Sequence, residues 1–126
     1  MTIQVSENSP DVLTGVDKMI TAAIDDYKLF MPLKNGMDSV QIGVRQKMCD
    51  EFTTNWKIKN GNKYVKIMVK NGGSVWGFVV NTDNDKKFKK GDILKAASFA
   101  APARNAARGN VLDGGYEINW TGPLYL

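Results

Sequence analysis

The sequence predicts an α+β domain in which two helices precede an antiparallel sheet. Three observations carry this prediction. Apolar residues recur at three- and four-residue steps near the beginning of the chain, they alternate with polar residues from Trp56 onward, and Asn-Gly pairs separate the alternating runs. The chain has 126 residues, 43% of them hydrophobic, and shows no internal repeat or linker. We therefore expect a single domain over residues 1–126.

The first helix is expected over residues 9–30. Its apolar residues keep the period of one helical face: Val12, Val16, Met19, Ile20, Ala23, Ile24, Tyr27 and Phe30. Ser9 and Pro10 are typical of an N-cap and a first helical position. Pro32 and the Asn-Gly pair that follows it end the helix.

Residues 39–53 fit two patterns. The run VQIGV alternates as a strand does, but a spacing of four continues through the apolar residues Val40, Val44, Met48 and Phe52. Asp38 or Ser39 can cap a helix at this position. We favour a helix over a strand, and this choice places Arg45 next to the apolar stripe.

A period of two indicates three strands between residues 56 and 81. The runs are WKIK, KYVKIMVK and SVWGFVVN, and the turns between them contain Asn-Gly pairs. In the third strand, strict alternation divides the residues between two faces. One face carries Ser74, Trp76, Phe78 and Val80, and the other carries Val75, Gly77 and Val79. Both faces are apolar, and the tail LYL adds more apolar side chains. We therefore expect a dimer or a larger assembly.

The last third of the chain is expected to hold a polar loop, a short helix and one strand. The loop covers residues 82–92. Pro102 suits a first helical position and Gly109 the position just past a helix end, which predicts a helix over 102–108. The run YEINW predicts a strand near 116–120 that joins the sheet.

The segment KAASFAAPARNAARGN, residues 95–110, carries two of the three arginines in a chain with fourteen lysines. On the predicted helix Arg104 and Arg108 lie one turn apart on one face, with Asn105 beside them. The planar fork of arginine matches phosphate, so this pair predicts an anion site. In the alternative interpretation Arg104 pairs with an aspartate such as Asp92 or Asp113, and the alanines only pack on the sheet.

Several kinds of chemistry are excluded by what the chain lacks. It contains no histidine, which removes Ser-His-Asp and Cys-His nucleophiles and histidine zinc sites. The single Cys49 can form no internal disulfide, and Asp25 and Asp26 are interpreted as a solvated helix face. The run DNDKKFKKGD departs from a calcium loop at Lys87 and Phe88, so we expect no metal and no cofactor. Catalysis is therefore not expected.

Charge and hydropathy bound the partners. Residues 1–51 hold five basic and eight acidic side chains, whereas residues 52–126 hold twelve basic and five acidic ones. The second part should attract anions. No apolar run approaches the roughly 20 residues that span a bilayer, and the first residues do not resemble a signal peptide. We therefore expect a cytoplasmic protein with no membrane partner.

The C-terminal half resembles small tailed-phage proteins that share a core of the form GDILKAAS, APA and ARGN, over roughly residues 60–126. More loosely, the chain resembles viral Thoeris anti-defence proteins, which sequester cyclic ADP-ribose signals. The second resemblance implies an oligomer that buries a cyclic ADP-ribose isomer or a cyclic nucleotide without cleaving it. Residues of the matching types are Arg104, Arg108, Arg45 and Lys95 for phosphates, Trp76, Phe78 and Phe99 for stacking, and Asn105 and Asn110 for base or ribose.

Two other functions stay open at this point. A module for single-stranded nucleic acid would stack bases on Tyr64, Trp76 and Phe78, with Lys66 and Lys70 around them. A protein-binding inhibitor of a host enzyme would use the acidic N-terminal half or an exposed sheet edge.

Overall fold

The computed structural model describes residues 3–30 and 36–123, and it confirms the α+β class. The described elements are, in chain order, β1 Ile3–Val5, α1 Val12–Phe30, α2 Ser39–Thr54, β2 Lys57–Asn60, β3 Tyr64–Val69, β4 Ser74–Val80, β5 Ile93–Leu94, β6 Tyr116–Asn119 and β7 Gly122–Pro123. The helix break expected at Pro32 and the apolar tail at 124–126 lie outside the described residues.

The strands form two antiparallel sheets. β2, β3, β4 and β5 lie side by side in that order. This confirms the antiparallel meander predicted for the first three, whereas β5 was not predicted. The strand expected near 116–120 forms as β6, but it does not join the meander and pairs instead with β1 and β7. The reason is β1, which the sequence patterns did not predict. Its Ile3 and Val5 stand opposite Ile118 and Tyr116, and all four side chains pack in the main core.

Both helices form, and their first turns differ in how well they were predicted. α1 begins at Val12, two residues after Pro10, because the Asp11 carboxylate accepts a hydrogen bond from the Thr14 N–H at 2.8 Å. Ser9 is therefore not its N-cap. α2 begins after Asp38, as expected: Asp38 accepts from the Gln41 N–H, and the Gln41 side chain accepts from the Asp38 N–H. This reciprocal pair is a capping box.

A bulge in β4 changes which side chains share a face. Ile67 stands opposite Gly77, but the next residue of β3, Met68, stands opposite Val75, so Trp76 is an extra residue. One extra residue reverses the alternation beyond it. Trp76 consequently packs in the main core, whereas Phe78 packs on the opposite side of the sheet. The expectation that these two rings share a face is wrong.

The alanine-rich segment turns back on itself at residues 97–101, then follows β5 without regular secondary structure, and it forms no helix over 102–108. The N–H groups of Ala103 and Arg108 donate to the carbonyls of Lys95 and Ile93, at 2.7 and 2.8 Å. Because these N–H groups donate to another segment, they do not form the i to i−4 hydrogen bonds of a helix. The small side chains let the segment lie close to the sheet, where Ala96 and Ala107 pack on a second apolar cluster made of Phe78, Val80, Phe88 and Leu94.

The main core lies between α1 and the two sheets. α1 contributes the fully buried Val16, Met19 and Ala23, and these meet side chains from β3, β4 and β6. The chain itself therefore covers both faces of β4, which removes the argument that β4 must be covered by another subunit. α2 is different, because none of its residues is buried.

Candidate functional site

Arg104 is held by a carboxylate of its own chain. Its two terminal nitrogens each donate to an oxygen of Asp85 at 2.9 Å, and one also donates to the hydroxyl of Tyr64 at 2.6 Å. The guanidinium lies 4.9 Å from the ring centre of Phe88. The bonds from Arg104, with those from the Phe88 and Lys87 N–H groups, hold the pKa of Asp85 well below its usual range. Arg104 thus pairs with an aspartate, as the alternative interpretation expected, but the partner is Asp85 and not Asp92 or Asp113.

Arg108 points to different groups. Its guanidinium donates to the side-chain oxygen of Asn105 at 3.0 Å and to the carbonyl of Ala106 at 2.7 Å. Burial and the nearby charge of Arg108 lower the pKa of Lys95, whose ammonium donates to the Pro123 carbonyl at 2.9 Å. Without a helix over 102–108, Arg104 and Arg108 do not share the helical face on which an anion site was predicted.

The other predicted contacts are dispersed. Asn110 is buried, donates to Asp92 and the Lys90 carbonyl, and accepts from the Leu112 and Asp113 N–H groups, so its amide is fully used within the chain. Phe99 is 56% exposed, and the ammonium of Lys66 lies 3.7 Å from the centre of its ring. Arg45 lies on α2 beside a shallow hollow.

The predicted stacking residues are mostly inside. Trp76 and Phe78 are each only 3% exposed, on opposite faces of the sheet. The indole N–H of Trp76 donates to the Trp120 carbonyl at 3.0 Å. The ring platform of Tyr64, Trp76 and Phe78 that the nucleic-acid interpretation needs is therefore not formed on one surface.

An aromatic cleft of about 560 Å³ lies at the end of the sheet where β3 turns into β4. This volume is within the range of small-molecule sites. Four aromatic side chains from four elements or turns line it: Tyr27, Phe52, Trp76 and Trp120. Two residues predicted from sequence to bind a ligand line this cleft: Trp76, and Lys70 from the nucleic-acid alternative.

The rings of the cleft support one another. Tyr27 stacks on Phe52 with ring centres 4.2 Å apart, and Trp120 meets the Tyr27 ring edge-on at 5.0 Å. Trp56 lies behind them, 5.3 Å from Phe52 and 5.7 Å from Trp76. All three tryptophans of the chain thus belong to one cluster. Such contacts fix the orientation of aromatic walls before any ligand arrives.

The rim of the cleft is polar and includes a strained turn. Lys70 and Asn71, both lining the cleft, have φ of 54° and 55°, a conformation that L-residues other than asparagine and aspartate rarely adopt. The Asn71 N–H donates to the carbonyl of Asn55, just past the end of α2, at 2.9 Å. Such outliers cluster at ligand sites. Lys70 and Glu51 are the charged residues among those that line the cleft, so its net charge is zero.

Asp26 is the residue that the sequence interpretation misjudged most. It is 1% exposed, and one carboxylate oxygen accepts from the Trp120 N–H at 2.8 Å. The other oxygen has no hydrogen-bond partner among the described residues. The interpretation of Asp25 and Asp26 as a solvated face holds only for Asp25, which is exposed. The helical period separates the two, because Asp26 lies seven residues after Met19 on the buried face of α1, whereas Asp25 lies seven residues after Lys18 on the polar face. The partner of Asp26, 94 residues away, has no local signal.

A second, polar groove of about 510 Å³ lies at the other end of the β3–β4 hairpin. Lys63, Lys86 and Arg104 line it, together with Asp85. The six residues of β3 separate it from the aromatic cleft by roughly 17 Å at about 3.3 Å per residue. One small ligand cannot contact both sites.

Within residues 3–30 and 36–123, no group of three or more acidic or cysteine side chains could hold a metal ion, and no helix could cross a membrane. No curated protein and no solved structure is significantly similar to the chain. Residues 13–126 match DUF7717, a family of unknown function. Because this match covers most of the sequence, the chain belongs to the DUF7717 family.

Proposed function

We propose that this protein binds a nucleotide-derived signalling molecule in the aromatic cleft and sequesters it without cleaving it. The observation that supports this most is the cleft of about 560 Å³, with four aromatic side chains in its wall and a lysine in its rim. Under this proposal the ligand is a cyclic ADP-ribose isomer or a cyclic oligonucleotide. The protein then acts as a viral counter-defence protein, as a homo-oligomer in the host cytoplasm.

The lining chemistry suits a nucleotide. Of the four cleft rings, Phe52 and Trp120 are half-buried, whereas Tyr27 and Trp76 are buried. A base would therefore stack on Phe52 or Trp120, at roughly 1–3 kcal/mol for each base. The amides of Asn55 and Asn71 can bond to the edge of a base, and the carboxylate of Glu51 can accept from ribose hydroxyls. Lys70 supplies one cation for a phosphate. These assignments move the proposed site from the two arginines to the other end of the β3–β4 hairpin.

Binding without cleavage follows from the side chains at hand. The chain has no histidine, and Glu51 is the carboxylate among the lining residues. The hydroxyls of Ser74 and Thr121 also line the cleft, but no histidine is present to activate them, and a single carboxylate without a paired acid is poorly equipped for general acid–base catalysis.

The test is calorimetric titration of the purified protein with cyclic oligonucleotides and ADP-ribose isomers, followed by heating of the complex and analysis of the released molecule. We expect one of these compounds to bind and to return intact. Lys70→Gly keeps the turn geometry and removes the cation. A charged hydrogen bond contributes roughly 1.5–3 kcal/mol, so this variant should weaken binding about tenfold to a hundredfold. The matched control is Arg104→Ala with Arg108→Ala, which should leave the affinity unchanged.

Each other result selects a different function. A converted product identifies an enzyme. If the double arginine variant loses binding and Lys70→Gly does not, the ligand binds in the polar groove and not in the aromatic cleft. Binding of single-stranded oligonucleotides that falls steeply with salt supports the nucleic-acid alternative. If no compound in the panel binds, the proposal is wrong and a protein-binding inhibitor is the better hypothesis.

A further inference from the structure

The segment that forms β2, β3 and β4 carries positive charge without negative charge. Residues 52–82 hold five lysines and no aspartate or glutamate, whereas the rest of the chain holds twelve basic and thirteen acidic side chains. The net charge of +4 therefore comes from this one segment. A surface that serves only solubility usually mixes both signs, so this separation of charge indicates an anionic partner.

Four of the five lysines lie on one face of the meander. Lys57 and Lys59 alternate along β2 and are exposed, and Lys66 of β3 stands directly opposite Lys59. The ammonium of Lys63 lies 5.5 Å from the ring centre of Tyr64, which shares its face of β3 with Lys66. We call Lys57, Lys59, Lys63 and Lys66 the lysine face.

The charges of the lysine face are not neutralised within the described part of the chain. Within residues 3–30 and 36–123, none of the four lysines forms an ion pair with an aspartate or glutamate. Like charges that stand directly opposite each other on neighbouring strands destabilise a sheet. The pair of Lys59 and Lys66 is therefore unfavourable for the fold, and a bound polyanion would relieve the repulsion.

The positive surface is longer than one small ligand. Lys57 stands opposite Met68, which places it roughly 17 Å along β3 from Lys63. Lys63 also lines the polar groove together with Lys86, so the positive surface continues past the end of the strand. A linear polyanion can contact the whole of this surface, whereas a mononucleotide cannot.

An exposed aromatic ring stands beside these lysines. Phe99 is the one aromatic side chain that is exposed among those the structure describes, and the ammonium of Lys66 lies 3.7 Å from its ring centre. This contact places the ring above β3. Bases stack on exposed rings, and an unpaired strand can turn its bases out to do so. The ring therefore favours a polynucleotide over an acidic peptide, which has no bases to stack.

We infer that a single-stranded polynucleotide binds along the lysine face, with its phosphates on the lysines and a base on Phe99. This surface differs from the platform predicted from sequence, because Trp76 and Phe78 are buried and take no part in it. None of the four lysines lines the aromatic cleft. The inference therefore does not rest on the proposed function.

The test is fluorescence anisotropy of labelled oligo-dT or oligo-U of about 20 nucleotides, titrated with the full chain at two salt concentrations. Each phosphate that a lysine neutralises on a single strand contributes about 0.7 to the slope of log affinity against log salt. With four such lysines, a fivefold rise in salt should weaken binding about a hundredfold. Lys59→Gln with Lys66→Gln leaves two, and the same rise should then weaken binding only about tenfold.

The matched control is Lys28→Gln with Lys47→Gln, which removes two exposed lysines from α1 and α2. This control should keep the hundredfold effect of salt. Removing the like charges at Lys59 and Lys66 should not lower the melting temperature, so loss of binding cannot be assigned to unfolding. Phe99→Ala should weaken binding at least about fivefold at both salt concentrations and leave the slope unchanged, because stacking releases no counterions.

Four outcomes overturn the inference. They are no binding of oligonucleotides at low salt, an equal loss in the control and the double lysine variant, tighter binding of a duplex of the same length, and binding only to phosphatidylserine vesicles. The last would assign the lysine face to a membrane surface. The double lysine variant should leave the calorimetric titration of the cyclic compounds unchanged, because neither lysine lines the cleft. Failure of the lysine face and failure of the proposed ligand can thus be told apart.

Discussion

The carboxylate of Asp26 accepts a hydrogen bond from the backbone N–H of Trp120 at 2.8 Å, and this bond joins α1 to the turn between β6 and β7. The same turn presents the Trp120 ring to the aromatic cleft, edge-on to Tyr27, the residue that follows Asp26. One buried carboxylate thus fixes the position of a cleft wall. It also ties together two segments 94 residues apart.

Asp26→Ala should destabilise the protein. The substitution leaves the N–H of Trp120 without its acceptor, and an unsatisfied buried donor costs roughly 1–3 kcal/mol. Urea denaturation measures the free energy of unfolding. Asp25→Ala is the matched control, because Asp25 is exposed and should change stability by no more than about 0.5 kcal/mol. Equal stabilities of the two variants would show that the Asp26 bond contributes nothing.

Acid should weaken the contact between Arg104 and Asp85. Folding lowers the pKa of Asp85 below its ordinary value of 3.8, chiefly through the hydrogen bonds from Arg104. A lowered carboxylate pKa stabilises the fold above the unfolded pKa, and this stabilisation is lost as pH falls through the folded pKa. Wild type should therefore melt at a higher temperature than Arg104→Ala at pH 7. The difference between the two melting temperatures should narrow progressively below pH 4.

Arg104→Lys is the control for charge in the same series. Lysine keeps the positive charge but cannot donate two parallel bonds to Asp85, so its melting temperature at pH 7 should lie between those of wild type and Arg104→Ala. A difference between wild type and Arg104→Ala that stays constant from pH 7 to pH 3 would assign the effect to packing on Phe88.

The elements that could be predicted from the sequence are those defined by a short period of apolar residues. The stripes of α1 and α2 and the alternation of β2, β3 and β4 depend on residues close in the chain, and these elements were found where expected. The pairing of β1 with β6 joins segments near the two ends of the described chain and has no local signal. The bulge at Trp76 does have one, because Gly77 follows it and a glycine inside a strand often marks a bulge, and the prediction of strict alternation overlooked it.

The candidate site was harder to predict for the same reason. The alternation at Trp76 and the spacing of Arg104 and Arg108 both look informative over a few residues. Where these side chains finally lie depends on Asp85, on the carbonyls beside β5 and on the β6–β7 turn. These groups are distant in sequence and come near only in the folded chain. The grouping of all three tryptophans was likewise a property of tertiary structure.

Lys70→Gly should raise the stability of the ligand-free protein. Lys70 has a φ of 54°, and a left-handed conformation costs an L-residue roughly 1–2 kcal/mol that glycine avoids. The greater freedom of glycine in the unfolded chain offsets about 0.5–1 kcal/mol of that gain. Chemical denaturation should therefore show a net increase of about 0.5–1 kcal/mol. A decrease would mean that the lysine side chain stabilises the turn by its own contacts.

The two glycines inside helices should respond to alanine in opposite directions. Gly43 lies on α2, and a Cβ added there meets nothing within 4 Å, so Gly43→Ala should stabilise the protein by roughly 0.5–1 kcal/mol through helix propensity. Gly15 lies on α1, where a Cβ would stand 2.7 Å from both the side chain and the carbonyl of Val111. Gly15→Ala should therefore cost about 1–3 kcal/mol by overpacking. Urea midpoints of both variants, measured against wild type, give the two signs, and a stabilising Gly15→Ala would show that α1 can move away from Val111.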